Sequence, residues 1–437
     1  MLSSSPEECS IGINYFISDH EGIGGQLRNS PEDFCVSEIE FLNYQPLSAD
    51  ASIFPHLIIR ATLLNWDTNS FSRELSHRLK IPLENISWAG TKDKRALTTQ
   101  LFSIKTKSND HFPPIPGATT QPLGRFGRQL NFGDLNGNIF DITIHNPSNL
   151  QNISKISNDL TIFGQGELSF PNYFGHQRFG SLRAITHIVG LCIARKEWKS
   201  AVLSYIGTPS ESEPIETQKA RKFVQSNQDW ETALSVFPPW LSYERNMLKS
   251  LIRTGSDTEE DYEIALRTLP RNLQMLLIHA VQSYLFNNIL TLRIRKNIPF
   301  QRAIVGDTVC FSKNIQGINL PNISKSQIAT KTNLDSINRH LENHRAFISA
   351  PLIGFNSNIP TGIPGEIVRE VLLESGLSTS SFDLPKPFGS SGSIRPILSK
   401  TNLEIKEDPL KFSFTLPPGS YATSLLREYL KVNQLQL

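Results

Sequence analysis

Trp88 to Gln100 reads WAGTKDKRALTTQ. The apolar run Ile86 to Ala89 enters it and the alternating run Thr99 to Lys105 leaves it. Runs of these two kinds predict strands, so Gly90 to Arg95 is expected to form a loop at a sheet end. In that loop one carboxylate, Asp93, stands between Lys92 and Lys94, with Arg95 following. Cations on both sides favour the ionised form of a carboxylate, which suits a nucleophile or base working beside a polyanion. Gly, Thr, Lys and Asp equally suit a charged hairpin turn, so the loop by itself leaves both readings open.

Outward from the loop, His56 to Leu64 is strand-like and rich in Ile and Leu. Asn69 to Lys80 has an amphipathic helical pattern, with Phe71, Leu75 and Leu79 on one face and Thr68 or Asn69 as cap. Farther upstream, in LRNSPEDFCVSEI (Leu27 to Ile39), Phe34 and Val36 alternate as in a strand with Pro31 at its mouth. Downstream, Pro113 to Asn131 is expected to be a Pro/Gly-rich connection carrying Arg125 and Arg128. Together with Lys92, Lys94, Arg95, Lys105 and Lys107 these cations outnumber Asp93 and Asp110, which fits a basic surface for phosphates or a solvated loop. Leu130 to His145 then predicts a glycine turn into a strand. Strand, helix, strand, loop, strand is an α+β order.

Asn172 to Gly180, NYFGHQRFG, is a poor helix and a good shaped loop. It offers aromatic rings, an amide and a guanidinium, which serve either a packed turn or the recognition of a base and a phosphate. Ser181 to Lys199 has helical spacing. From about Ala201 to Asp383 helical patterning dominates, over Ala220 to Val236, Tyr262 to Leu269, Asn272 to Lys296 and Gly365 to Glu374. Phe388 to Ser393 predicts a linker back to the first domain. Lys411 to Leu430 predicts a strand through Phe412, Phe414 and Leu416, a turn at Pro417 to Gly419, and a closing helix.

The 437 residues suffice for two domains. Lys and Arg number 43 against 41 Asp and Glu, a net charge of +2, so any electrostatic footprint for a nucleic acid has to be local. Cys9, Cys35, Cys192 and Cys310 are scattered with no C-x-x-C pair, which disfavours a zinc site and suits a reducing cytosol. The N-terminus lacks the pattern of a secretory signal. Leu273 to Leu292 is interrupted by Gln274, His279, Gln282 and Asn287, so it is expected to be a buried helix, too polar to span a membrane.

Gly90, Lys92, Asp93, Ala96, Thr98 and Gln100 match the G-x-K-D-x-x-A-x-T-x-Q signature of the TruD-type tRNA pseudouridine synthases. Four further segments resemble the same family in the same order: P-E-D-F-x-V-x-E at Pro31 to Glu38, G-x-L-x-G-N-x-F-x-I-x-I ending in the strand before His145, N-Y-F-G-x-Q-R-F-G at Asn172, and F-x-L-P-x-G-x-Y-A-T-x-x-L-R-E at Phe414. The resemblance runs from about Leu27 to Tyr429, and Ala350 to Gly354 resembles its archaeal and eukaryotic branch. It implies a pseudouridine synthase core with a mixed, mostly antiparallel sheet, residues 1–185 and 386–437, interrupted by a largely helical TRUD insertion domain, residues 186–385. It implies isomerisation of a tRNA uridine, by default at position 13 in the D-arm, with no metal, nucleotide or other cofactor. The implied partner is tRNA, for a cytoplasmic protein that is a monomer or weak dimer.

By the same resemblance Asp93 is the catalytic nucleophile or base and Arg28, three residues before Pro31, its electrostatic partner. Phe34, Phe174, Phe414, Asn172, Arg178 and Lys92 are implied at the substrate. Ile139 and His145 stand where many relatives carry arginines, which weakens the expectation of RNA contact from that strand. A rival class, a nucleoside hydrolase, requires a second carboxylate, and the sequence places neither Glu32 nor Glu38 near Asp93.

Overall fold

The computed structural model describes residues 2, 5–40, 42–108, 112–180, 183–315 and 318–432. Asp110 and Ser181 lie outside them. The chain divides into two units. One comprises Ile17–Phe170, Ser312–Leu320 and Ser399–Leu437; the other comprises Met1–Phe16, Pro171–Phe311 and Pro321–Leu398.

The first unit is built on an eight-stranded mixed sheet. In chain order its elements are β1 (Phe34–Ile39), β2 (His56–Leu64), α1 (Thr68–Leu79), β3 (Ile86–Trp88), β4 (Leu97–Lys105), β5 (Ala118–Phe126), β6 (Gly137–Thr143), α2 (Asn152–Phe163), β7 (Leu403–Glu407), β8 (Leu410–Leu416) and α3 (Ala422–Leu430). The strand order is β7-β8-β6-β1-β4-β2-β5, with β3 also on β4. Every pairing is antiparallel except β1 with β4, where Cys35, Val36 and Ser37 face Leu97, Thr98 and Thr99. β2 covers all of β4, from His56 opposite Lys105 to Leu64 opposite Leu97. The other edge of β4 is shared, because β3 takes its far half with Trp88 opposite Phe102. Residues 89–96 therefore leave the sheet where the β3 and β1 pairings meet, and that interval is the Asp93 loop.

Alternation decides which residues are core. Leu57, Ile59, Ala61 and Leu63 of β2 pack with Phe102 and Ile104 against Phe71 and Leu75 of α1. Ile58 and Leu101 point the other way, into a small cluster with Leu42 and Leu130. Burying such side chains contributes about 1.5–3 kcal/mol each. The cap of α1 is Asp67, whose carboxylate accepts from the Ser70 amide, not Thr68 or Asn69 as the pattern predicts. The Thr68 hydroxyl is committed elsewhere, to Gln100 Oε1 at 3.0 Å and the Lys92 amide at 2.8 Å.

The expected connection at Pro113 to Asn131 contains a whole edge strand, β5. Arg125 is not on a basic surface: it is 1% exposed. Its guanidinium donates to the carbonyls of Phe54, Thr106 and Lys107 at 3.2, 3.0 and 2.8 Å. Burial without those acceptors would cost several kcal/mol, so this arginine ties the loop before β2 and the loop after β4 to β5.

The second unit is mostly helical. The Arg271–Arg295 helix has the length and composition of a membrane span, against the expectation that it is too polar, yet 72% of its most apolar window is buried in the protein. The single helix expected over Ala220 to Val236 is two, Ile215–Ser226 and Trp230–Val236, with Asp229 capping the second. Within this unit the strand Ala346–Leu352 pairs antiparallel with Ser393–Pro396 on one side and with residues 308–311 on the other. The expected linker at Phe388 is packed: Phe388 is fully buried, and Ser390 accepts from Gln282 Nε2 at 2.9 Å.

His187 in this unit stacks on Tyr284 and meets Phe179 edge-on, with Nε2 3.1 Å from the Ser10 carbonyl. Burial pushes it down to about 4 from an ordinary 6.5. The folded protein thus holds His187 neutral where the unfolded chain protonates it. Its share of stability is complete above about pH 6.5 and is lost as pH falls toward 4, roughly 3 kcal/mol in all. His187→Gln is expected to flatten the fall in melting temperature between pH 7 and 4.5.

Candidate active site

The loop between β3 and β4 is held from below by four contacts. Lys92 Nζ lies 2.6 Å from Glu38 Oε1, with side chains 7% and 3% exposed. Glu38 Oε2 accepts from the Leu101 amide at 3.0 Å. The Lys92 amide donates to Thr68, and Gln100 Nε2 donates to the Gly90 carbonyl at 3.4 Å. Lys92 therefore sits beneath the loop, bound to Glu38, while Asp93, Lys94 and Arg95 are exposed above it.

Asp93 Oδ2 accepts from Arg28 Nη2 at 3.0 Å, the arginine side chain 16% exposed and the carboxylate 50%. Asp93 Oδ1 has no protein partner among the described residues. Arg28 is positioned from both ends. Its backbone is left-handed, φ +59°, a conformation a non-glycine residue holds where its surroundings impose it. Its carbonyl accepts from Arg95 Nη2 at 3.3 Å, and its guanidinium lies 4.1 Å over the Phe34 ring. A desolvated cation stacked on an aromatic face keeps one orientation. Arg28→Ala is expected to lower kcat by about 10²- to 10³-fold, the scale of losing one charged donor at a reacting centre. Arg28→Lys is expected to recover only part of that, measured by single turnover.

Phe34 continues into an aromatic floor. Its ring meets Phe140 edge-on at 6.4 Å, and Phe140 stacks on Phe414 at 5.2 Å and 18°. All three are buried, at 3%, 7% and 3% exposure. They join the core that α2 and α3 cover. The sequence reading missed Glu38 and Phe140 as site residues, although both occupy fixed positions of the matched motifs. His145, in an arginine position, stands 3.0 Å from Asp33, and Ile139 is exposed.

Asn172, Phe174 and Arg178 belong to the second unit. Asn172 Nδ2 donates to the Pro396 carbonyl at 2.9 Å, and Oδ1 accepts from Arg395 Nη2 at 2.8 Å. Arg395 also lies 4.0 Å over the Phe174 ring. The Phe174 amide donates to Asn287 Oδ1 at 2.9 Å, and its carbonyl accepts from Asn287 Nδ2 at 3.1 Å. Arg178 Nε reaches Ser283 at 3.2 Å. The Q-S-Y-L-F-N stretch of the long helix thus clamps the NYFGHQRFG loop. Arg395, far away in sequence, gave no signal.

Residues 10–429 match the family described as tRNA pseudouridine synthase D (TruD). The Halobacterium salinarum protein named "Probable tRNA pseudouridine synthase D" is 44% identical over 439 residues, covering 100% of both chains. The protein so named from Methanosarcina mazei is 41% identical, covering 98% of each. That from Archaeoglobus fulgidus is 36% identical, covering 97% of this chain and 99% of its own. The crystal structure of the Methanosarcina mazei protein described as "Putative tRNA pseudouridine synthase D (TruD)" superposes with a TM-score of 0.81 at 39% identity, covering 99% of this chain and 100% of that one. With a matching signature loop, a mixed α+β fold and archaeal relatives along its whole length, the chain belongs to the TruD family of pseudouridine synthases, isomerases that act on RNA.

Proposed function

We propose that this protein isomerises one tRNA uridine, at position 13 of the D-arm, with Asp93 as nucleophile or base. The observation that carries the reading is the Arg28–Asp93 pair, one fixed cation on one half-exposed carboxylate. The reaction breaks the C1′–N1 bond, turns the uracil and joins C1′ to C5; the C5 proton leaves and N1 gains one. It balances without metal, nucleotide or redox group. Asp93 Oδ1 is available for attack at the sugar or for the C2′ proton, and Arg28 holds the charge during either step.

The target base has to leave its stack, at a cost of a few kcal/mol. The rims of Phe34 and Phe414 return part of that cost. Asn172 keeps one amide hydrogen and a lone pair on Oδ1 for a uracil edge after its protein bonds are counted. Phe174 and Arg178 shape its loop, and Lys92 serves the substrate by holding Asp93 in place. Core residues 1–185 and 386–437 with an insertion at 186–385 remain the proposed domain plan. Four free thiols suit a reducing cytoplasm, and we assign a monomer or weak dimer.

Glu38, a candidate second carboxylate for a hydrolase, is already committed to Lys92 and Leu101, which favours the synthase. The test is incubation with unmodified tRNA transcripts, chemical mapping of pseudouridine and assay of free uracil. One modified D-arm uridine and no free uracil is the expected result. Released uracil would establish a hydrolase, and binding without modification an RNA-binding protein.

A further inference from the structure

Phe132 is 71% exposed, more than any other Phe, Trp or Tyr among the described residues. A lone exposed apolar residue ordinarily means little. This one sits on a rigid turn. The Asn131 amide donates to Asp134 Oδ2 at 2.8 Å, and the Asp134 amide returns to the Asn131 carbonyl at 3.0 Å. Arg128 donates to both oxygens of Asp134. The Leu130 amide is tied to Ser103 Oγ at 3.1 Å. Gly133, at φ +92°, donates to the Ala89 carbonyl at 2.8 Å. The residue next to Phe132 is thereby bonded to the strand end that opens the catalytic loop. Ala89 is four residues from Asp93, no more than about 14 Å of extended chain.

We propose that Phe132 is a stacking platform for a base flanking the target uridine, so that one base rests on Phe132 while the uridine enters the site at Asp93. The inference rests on the tRNA reading above. Its surroundings suit RNA better than protein. Exposed Arg128, Gln129 and Asn131 lie on the same turn, and exposed Lys94 and Arg95 on the loop; the turn's acid, Asp134, is already held by Arg128. A single ring amid polar groups is too small for a protein interface, whereas any base presents a face to it. Because the turn is already ordered, stacking loses little to ordering entropy.

The test compares wild type, Phe132→Ala and Phe132→Trp as full-length proteins with an unmodified tRNA transcript. It reads affinity at several salt concentrations, single-turnover rate and melting temperature. Phe132→Ala is expected to bind about 5- to 150-fold more weakly, with melting unchanged, and Phe132→Trp to restore binding. The salt slope of Phe132→Ala should equal the wild type's, since no phosphate contact is lost; Lys94→Ala/Arg95→Ala should flatten it. Phe132→Ala binding like wild type, or Phe132→Trp failing to restore binding, overturns this inference alone when the wild type still forms pseudouridine. A wild type that neither binds nor modifies tRNA overturns the tRNA reading and this inference together.

Discussion

Asp93→Asn is expected to bind a tRNA transcript as tightly as the wild type and to form pseudouridine at least about 10⁴-fold more slowly, the scale of removing a reacting group. The substitution preserves shape, and the asparagine oxygen still accepts from Arg28. Asp93 is half exposed, and Glu38, Thr68 and Gln100 hold the loop, so melting should not move. What disappears is the charge: an amide neither attacks a sugar carbon nor takes a C2′ proton at neutral pH. Release of tritium from C5-labelled uridine in a single turnover measures the step directly. An asparagine variant turning over near the wild-type rate would move the chemistry to another group. Weakened binding with normal turnover would make Asp93 a recognition residue.

The sequence was most legible where the signal is local. An apolar run located β3 and an alternating run β4, each to within two residues, and hence the loop between them. Such patterning failed where a tertiary partner takes a side chain away. Thr68 looks like a helix cap, but its hydroxyl is spent on Lys92 and Gln100, and the cap moved to Asp67. β5 was invisible because it contains Pro122 and Gly124, residues that usually end strands. Both are tolerated there: β5 is an edge strand, its register with β2 shifts at Ile58/Ile59, and a Cβ at Gly124 would strike the Gln45 carbonyl at 2.2 Å. The strand Ile318–Ile328 was missed for a related reason: its sequence, INLPNISKSQI, is too polar to show which face is buried.

For the site, the motifs pointed to Asp93, Phe34 and Phe414, with Arg28 just ahead of one of them, but not to Phe140 between the two rings, and they are silent on who touches whom. A lysine beside an exposed aspartate looks like a phosphate contact. Only the fold shows that Glu38, 54 residues away, lies under it. Arg395, 223 residues from Asn172, is beyond any pattern of period two or 3.6.

Lys92→Met should reveal which of these roles Lys92 has. Taking the ammonium away leaves Glu38 buried at 3% exposure with the Leu101 amide as its remaining partner. Breaking a buried pair from one side costs about 3–5 kcal/mol, because the other charge remains uncompensated. At roughly 2–4 °C per kcal/mol the melting temperature of that unit should fall by about 6–20 °C. Glu38→Gln alone should also destabilise, by leaving the ammonium unpaired. The double variant Lys92→Met/Glu38→Gln should recover part of the loss, since the amide oxygen still accepts from Leu101 and no charge is stranded. A double-mutant cycle by denaturant unfolding isolates that coupling. Function then separates from stability in the double variant at low temperature. If Lys92 only holds the loop, tRNA affinity keeps its wild-type salt slope and turnover falls as Asp93 loses its fixed position. A slope reduced by about one phosphate contact, with stability restored, would show that the ammonium leaves Glu38 to meet the RNA.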